Sequence, residues 1–353
     1  MARSTGLHEP VFWILTVVSI AVAAVVCALF FHFWLFLRLP GQAAVERRQV
    51  TIPPGTGASA VARILHAEGV VSDADAFYLL CRFRKAGHKL RAGEYAFPTL
   101  ATPGQILDQI VSGRAILYRL TFPEGSTVRD VARALEERGL ASEKVILRLS
   151  RDKEFLQDLN LDEPSLEGYL FPETYLFQKS QDEAAMLRMM VQQFRRHFPD
   201  TWRDRASQLG MSVHEAVVLA SLVEKEAKVD AERPVIAAVF LNRLDRNMPL
   251  QSDPSAVYDL PDFSGPVTSL HLKRQSPYNT YLNRGLPPGP ICNPGTKSLK
   301  AALYPEKVPY LYFVSNNDGT HRFSETLTEH RQAVSDYREK RKAMAEKDDR
   351  AVP

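Results

Sequence analysis

From Val11 to Leu37 the chain runs 27 residues without Asp, Glu, Lys or Arg, and His32 is the only side chain there that is readily charged. About 20 helical residues cross a hydrocarbon core, so this stretch spans a membrane with some tilt. A cleaved secretory signal has an apolar region of roughly 7–15 residues followed by a processing site. The run is too long for that, and Cys27 lacks the small-residue context of a lipoprotein. The expectation is an uncleaved anchor over 11–37, a short tail over 1–10 and a linker over 38–49. Flanking charge does not orient it: Arg3 precedes the span, whereas Arg38, Arg47 and Arg48 follow. Long domains cross largely regardless of such charges.

The other 300 or so residues have room for a small and a larger domain. A formal net charge of +3 on 353 residues leaves no nucleic-acid footprint. Cys27, Cys81 and Cys292 are too scattered for a disulfide framework or a metal motif.

Just after the linker a pattern occurs twice. Val50-Thr-Ile-Pro-Pro-Gly-Thr56, Val61-Ala-Arg-Ile-Leu65 and Gly69 return seventy positions later as Leu120-Thr-Phe-Pro-Glu-Gly-Ser126, Val131-Ala-Arg-Ala-Leu135 and Gly139. Each copy reads as a strand, a Pro/Gly turn with a hydroxyl near a helix start, a helix and a terminating glycine. One such unit cannot bury its own apolar face, so the copies must pack against neighbours. The pattern resembles the LysM-like subdomains of wall-binding proteins; a plain α+β spacer made by duplication is the equal alternative. Between the copies, Gly93-Glu-Tyr-Ala-Phe97 reads as a strand, and Thr102-Pro-Gly-Gln-Ile106 opens a helix.

Beyond about Leu161 the composition changes. Leu166-Glu-Gly-Tyr-Leu-Phe-Pro-Glu-Thr-Tyr175 is aromatic and broken by proline, as a shaped loop would be. Helices are expected over 184–198, 213–228 and 231–246, the last capped by Asp230. Gly285 to Gly295 holds seven Gly or Pro in eleven residues and reads as a stiff loop. Tyr310-Leu-Tyr-Phe-Val314 reads as a strand, and the charged stretch after Asp336 as a solvated helix that frays. Together these give an α+β chain: a transmembrane helix, α/β subdomains over 50–160 that are LysM-like or a plain spacer, a mixed α+β domain with a groove over 161–345, and a tail over 346–353.

The richest source of chemistry is Leu219-Ala-Ser-Leu-Val-Glu-Lys-Glu226-Ala227, where eight uncharged residues, Ala216 to Val223, run into two carboxylates. A carboxyl at the end of a buried apolar helix tends to keep its proton, as a general acid must. Residues two apart on a helix point roughly 200° from each other, so Glu224 and Glu226 cannot share one site. Both continue apolar faces, and periodicity does not choose between them; a solvated helix end with Lys225 is the plain alternative. Other mechanisms lack their residues. His214-Glu215 begins a zinc-protease pattern, but Val218 stands where the second histidine belongs. There is no Gly-x-Ser-x-Gly elbow, Ser150-Arg-Asp-Lys153 has no Lys-Thr-Gly partner, and no glycine loop suits a phosphate. No metal or cofactor is expected.

Seven segments, taken in order, resemble one known family. They are Ala220-Ser-Leu-Val-Glu-Lys-Glu-Ala227, Val239-Phe-Leu-Asn-Arg-Leu244, Leu250-Gln-Ser-Asp-Pro254, Ser276-Pro-Tyr-Asn-Thr-Tyr281, Gly285-Leu-Pro-Pro-Gly-Pro-Ile291, Asn293-Pro-Gly295 and Tyr310-Leu-Tyr-Phe-Val314. The chain from Val50 onward is similar to the endolytic murein transglycosylases of the YceG-like family. That resemblance implies cleavage of MurNAc–GlcNAc bonds within nascent peptidoglycan strands, leaving 1,6-anhydroMurNAc ends, with Glu226 as acid and then base. It implies that Glu224 supports, and that the protein crosses the bacterial inner membrane once with its C-terminal domain on the periplasmic side. The implied partners are glycan strands, the membrane and the synthases that build new strands, with no nucleic acid. Gln251, Ser252, Asp253, Tyr278, Asn279 and Tyr281 offer hydrogen bonds and rings for a glycan, or ordinary loop anchoring. Asn242 and Arg243 either position the acid's helix or touch substrate. The rival reading is a non-catalytic peptidoglycan-binding scaffold. A hydrolase would need a second carboxylate, for which Asp253 is the one tempting residue.

Overall fold

The computed structural model describes residues 8–39 and 47–351. Residues 1–7 of the expected tail, most of the expected linker and the last two residues lie outside that range. Helix α1 runs His8–Arg38, and its stretch Phe12–Arg38 is long and apolar enough to cross a membrane, with side chains exposed along most of its length.

The chain forms two compact units, one comprising 1–118 with 177–181 and the other 119–176 with 182–353. In the first unit, β1 (Arg47–Ile52) pairs antiparallel with β2 (Gly93–Pro98), Val50 opposite Tyr95. Helices α2 (Ala58–Ala67), α3 (Ala74–Phe83) and α4 (Pro103–Ser112) cover the ribbon. Val61, Leu65, Phe77, Tyr95, Ile106 and Ile110 make their shared core. Thr102, where the sequence opens a helix, caps α4 in a reciprocal box with Gln105.

The second copy of the repeat belongs to the second unit, a correction to the boundary expected at 160/161. Its strand β3 (Tyr118–Thr121) pairs with β4 (Thr174–Phe177), which lies past that boundary. Locally the copies agree. Thr56 and Ser126 each donate a hydroxyl hydrogen bond, 2.7 Å long, to the carbonyl of the proline three residues back. In each copy the helix, α2 or α5 (Val128–Glu137), is followed by a left-handed glycine, Gly69 or Gly139. Their start signals differ: Thr127 caps α5 through its side chain, whereas Gly57 before α2 has none.

The rest of the second unit is helical: α6 (Glu143–Leu149), α7 (Lys153–Asp158), α8 (Glu183–His197), α9 (Asp200–Gln208), α10 (Val213–Glu226), α11 (Arg233–Asp245), α12 (Asp253–Val257), α13 (Ser269–Leu272) and α14 (Thr296–Leu303). A hairpin of β5 (Tyr312–Ser315) and β6 (His321–Ser324) precedes α15 (Leu327–Ala351). Asp230 does not cap α11 as expected. It opens a 3₁₀ turn over Asp230–Glu232, and Pro234 supplies the helix start. The Gly285–Gly295 segment has no regular structure, in keeping with its composition.

Helix α10 is the axis of this unit. Ser212 and Glu215 cap its start reciprocally, and all eight residues from Ala216 to Val223 are buried, so the helix is enclosed on every side. Each fully buried Val or Leu contributes about 1.5–3 kcal/mol. Helix α14 and helix α11 pack along it. An axis this rigid delivers whatever stands at its C-terminus to a fixed point.

Candidate functional site

Helix α10 ends at Glu226 because Ala227 turns to extended backbone (ψ 123°). Glu226 is half-buried at that end. Its Oε1 accepts a 2.6 Å hydrogen bond from Ser252 Oγ, the acidic residue's one protein donor among the described residues. Burial raises its pKa to about 7, opposed by the Ser252 bond and by the Arg243 charge and assisted by Asp253. The carbonyls at the helix C-terminus act in the same direction as burial, since that end disfavours an anion. The group is therefore divided between acid and base near neutral pH.

Glu224, two residues earlier, is placed quite differently. Its side chain is 5% exposed, with one oxygen 2.8 Å from Arg233 Nη1 and the other accepting the Gly295 N–H at 2.9 Å. Arg233 also donates to Ser298 and Asp230. The carboxylate thus latches α10 to the starts of α11 and α14 and has no free oxygen. The two glutamates diverge as helical geometry requires, and only Glu226 retains an unoccupied carboxyl oxygen.

The loop facing Glu226 is held from behind. Arg243 Nη1 donates to the carbonyls of Pro249 and Leu250 and to Gln251 Oε1, and its Nε donates to Leu311 O at 2.6 Å. Gln251 N donates to Thr280 O, and Ser252 N to Thr280 Oγ1 at 2.9 Å. These bonds hold Gln251 in the left-handed region (φ 55°), a strained conformation for this residue type. Strain of that kind persists where the surroundings over-determine it, and here it aims Ser252 at Glu226.

A family model described as the YceG-like family matches residues 50–336. The chain belongs to the YceG-like family. An endolytic murein transglycosylase of Bacillus subtilis (strain 168) is 34% identical over 304 residues, covering 82% of this chain and 84% of that protein. One of Streptococcus pneumoniae serotype 2 is 26% identical over 321 residues, covering 82% of this chain and 58% of that longer protein. The 2.6 Å crystal structure of a yceG-like protein from Listeria monocytogenes superposes with a TM-score of 0.57 at 34% identity, covering 81% of this chain and 98% of its own.

In this YceG-like chain the other expected site residues fall into two groups. Tyr278, Tyr281, Gln251 and Asp253 keep exposed or half-exposed surface near the loop, with Tyr281 OH bonded to Asp253 Oδ1. Ser252 and Asn279 do not. Ser252 is 1% exposed and its oxygen is directed to Glu226, so it orients that carboxyl rather than presenting a surface. Asn279 is fully buried. Its amide donates to Leu272 O and Arg274 O, and its carbonyl accepts Tyr281 N–H. The expected glycan contact at Asn279 is corrected to a loop anchor, because every polar atom is spent inside. Asn242 also anchors, donating to Val308 O and Tyr310 O.

One group escaped sequence reasoning altogether. Glu167 is buried and accepts from Val128 N (3.0 Å), Tyr258 OH (2.9 Å) and Asn293 Nδ2 (3.5 Å). Burial pushes it to about 7, against the pull of those bonds. Asn293 also accepts the N–H groups of Gly168 and Leu170 and donates to Ser126 O. The available signal was Glu167 itself, flanked by Leu166 and Gly168 in the aromatic run 166–175 that also holds Glu173, since an acid among apolar residues needs partners.

Proposed function

We propose that this protein is an endolytic lytic transglycosylase of peptidoglycan, with Glu226 as the single acid and base. The observation that carries this reading is Glu226 itself: a carboxyl at the end of a buried apolar helix, oriented by Ser252, poised at about 7 and free on one oxygen. Relatives named endolytic murein transglycosylases support the substrate class.

Protonated Glu226 donates to the glycosidic oxygen leaving C1 of N-acetylmuramic acid. The C1–O bond breaks through an oxocarbenium-like state. The sugar's own 6-hydroxyl closes on C1 while Glu226 recovers the hydroxyl proton, giving a 1,6-anhydro end without consuming water. An internal nucleophile brings its own effective molarity, so one carboxyl is enough. Helix α1 would anchor the enzyme in the inner membrane with the second unit on the periplasmic side, and the repeat-bearing segments would meet the wall as LysM-like modules. Synthases of new strands would be its protein partners.

The test is incubation of the full-length chain in detergent with peptidoglycan strands, followed by mass spectrometry of new ends. Anhydro ends that vanish in Glu226→Gln support the reading. Reducing ends would show a hydrolase, and no new ends would show a scaffold.

A further inference from the structure

Beside the candidate acid the second unit has a cavity of about 830 Å³, within the usual range for ligand pockets, which the reaction above leaves unused. It is walled by the start of α5, the end of α6, the loop bearing Glu167, and the segment from Pro254 to Ser264 with Tyr278. Glu226 does not line it, but its neighbour Lys225 does, as does Pro254 next to Asp253. The cavity therefore adjoins the acid without containing it.

Four acids and four bases line the cavity, and they are unequally available. Asp130 accepts from Thr127 N and Thr127 Oγ1, each at 2.8 Å. Asp259 is taken by Arg274 and Ser276, Asp262 by Arg133, and Glu167 by Val128 N and Tyr258. Of the bases, Arg133 alone is in an ion pair. Arg129 and Arg151 are exposed and make no side-chain hydrogen bond or ion pair among the described residues; Lys225 reaches only Gly125 O, at 3.4 Å. Each acid is thus held by donors within the protein, Asp259 and Asp262 by arginines, while Arg129, Arg151 and Lys225 line the cavity without an ion pair among the described residues. Tyr258 and Tyr278, with ring centroids 4.7 Å apart, supply an apolar wall.

We infer that this cavity is a subsite for the acidic stem peptide of peptidoglycan, whose carboxylates meet Arg129, Arg151 and Lys225. The inference rests on the reading of the substrate given above. In muramic acid the peptide hangs from the lactyl ether at C3 of the ring whose C1 is cut, so it leaves the sugar within a few atoms of the acid. A pocket that borders Glu226 and excludes it is placed to take that branch while the glycan lies at the acid. Guanidinium groups suit carboxylates because they bond them in a planar, two-pronged geometry. Pyrophosphate at a lipid-linked strand end offers the same anionic chemistry, and the test separates the two.

The full-length chain in detergent is given strands bearing stem peptides, the same strands stripped by an amidase, and stripped strands retaining the lipid pyrophosphate. Native protein should favour the peptide-bearing strands in kcat/KM by about tenfold, expressed in KM, the scale of one charge-assisted hydrogen bond. In a chain carrying both Arg129→Ala and Arg151→Ala, with unchanged melting temperature, the ratio should fall close to one, and Arg151→Lys alone should keep part of it. Equal kcat/KM on bearing and stripped strands, or an undiminished ratio in the double variant, overturns the subsite. A preference that follows the pyrophosphate reassigns the cavity away from the peptide. Absence of cleavage on every strand would sink the transglycosylase reading instead. In that event calorimetric binding of a muramyl peptide against the peptide-free disaccharide by Glu226→Gln decides the subsite: a peptide preference lost with both arginines sustains it, and equal binding refutes it.

Discussion

Replacing Glu226 by glutamine should raise stability in a pH-dependent way while abolishing cleavage. An ordinary glutamate ionises at 4.5, as it does in the unfolded chain, whereas in the fold Glu226 keeps its proton to about 7. Between those values the folded state binds more protons, so stability falls as pH rises. Every tenfold gain in proton affinity on folding corresponds to roughly 1.4 kcal/mol, giving about 3 kcal/mol once pH exceeds 7. One edge of the residue meets solvent, so this is an upper figure. Glutamine is neutral throughout and still accepts the Ser252 bond through its own Oε1. The variant should match the native chain at pH 4.5 and exceed it progressively up to pH 8. A domain of this size gains about 2–4 °C in melting temperature per kcal/mol. Glu167 titrates over the same window in both chains and cancels in the difference. Calorimetric or fluorescence melts of both chains, taken at closely spaced pH values from 4.5 to 8, provide the measurement. Parallel curves across that range would refute the claim that burial holds a proton on Glu226, and with it the acid's assignment.

Ser252→Ala removes a bond that favours the ionised acid, so the alkaline limb of the pH–rate profile should move to higher pH. The maximal rate should drop by about tenfold or more as the acid loses its orientation. An unmoved limb would show that Ser252 does not act through Glu226. Arg233→Ala leaves Glu224 buried and unpaired and should cost about 3–5 kcal/mol in denaturant unfolding; a loss below about 1 kcal/mol would contradict the latch. Gly168→Ala should be similarly damaging. At its φ of +88°, an added Cβ would lie 2.5 Å from Pro290 Cγ and 2.8 Å from Val217 Cγ1. Soluble yield and melting temperature report the outcome.

Residues close in sequence were legible because their signals are local. The apolar run to Leu37, the repeated Pro-x-Gly turns and the uncharged stretch before Glu224 set a span, two like units and a buried helix by composition and period alone. Boundaries held wherever a cap wrote them, as at Thr102 and Ser212. They moved where packing decided, as at residue 160, because β3 finds its partner more than fifty residues downstream.

Local pattern by itself determined that one of two glutamates could be an acid; tertiary contacts decided which one has an oxygen to spare. Glu224 is committed by Arg233 and by Gly295, 71 residues away, and Glu226 is oriented by Ser252, 26 residues away. The partners of Glu167 could not be read for the same reason, lying 39, 91 and 126 positions distant. Periodicity reports which face of a helix is buried. Whether a carboxylate buried there is paired, oriented or free depends on donors that only the folded chain brings within about 3 Å, and that distinction separates a structural ion pair from a candidate acid.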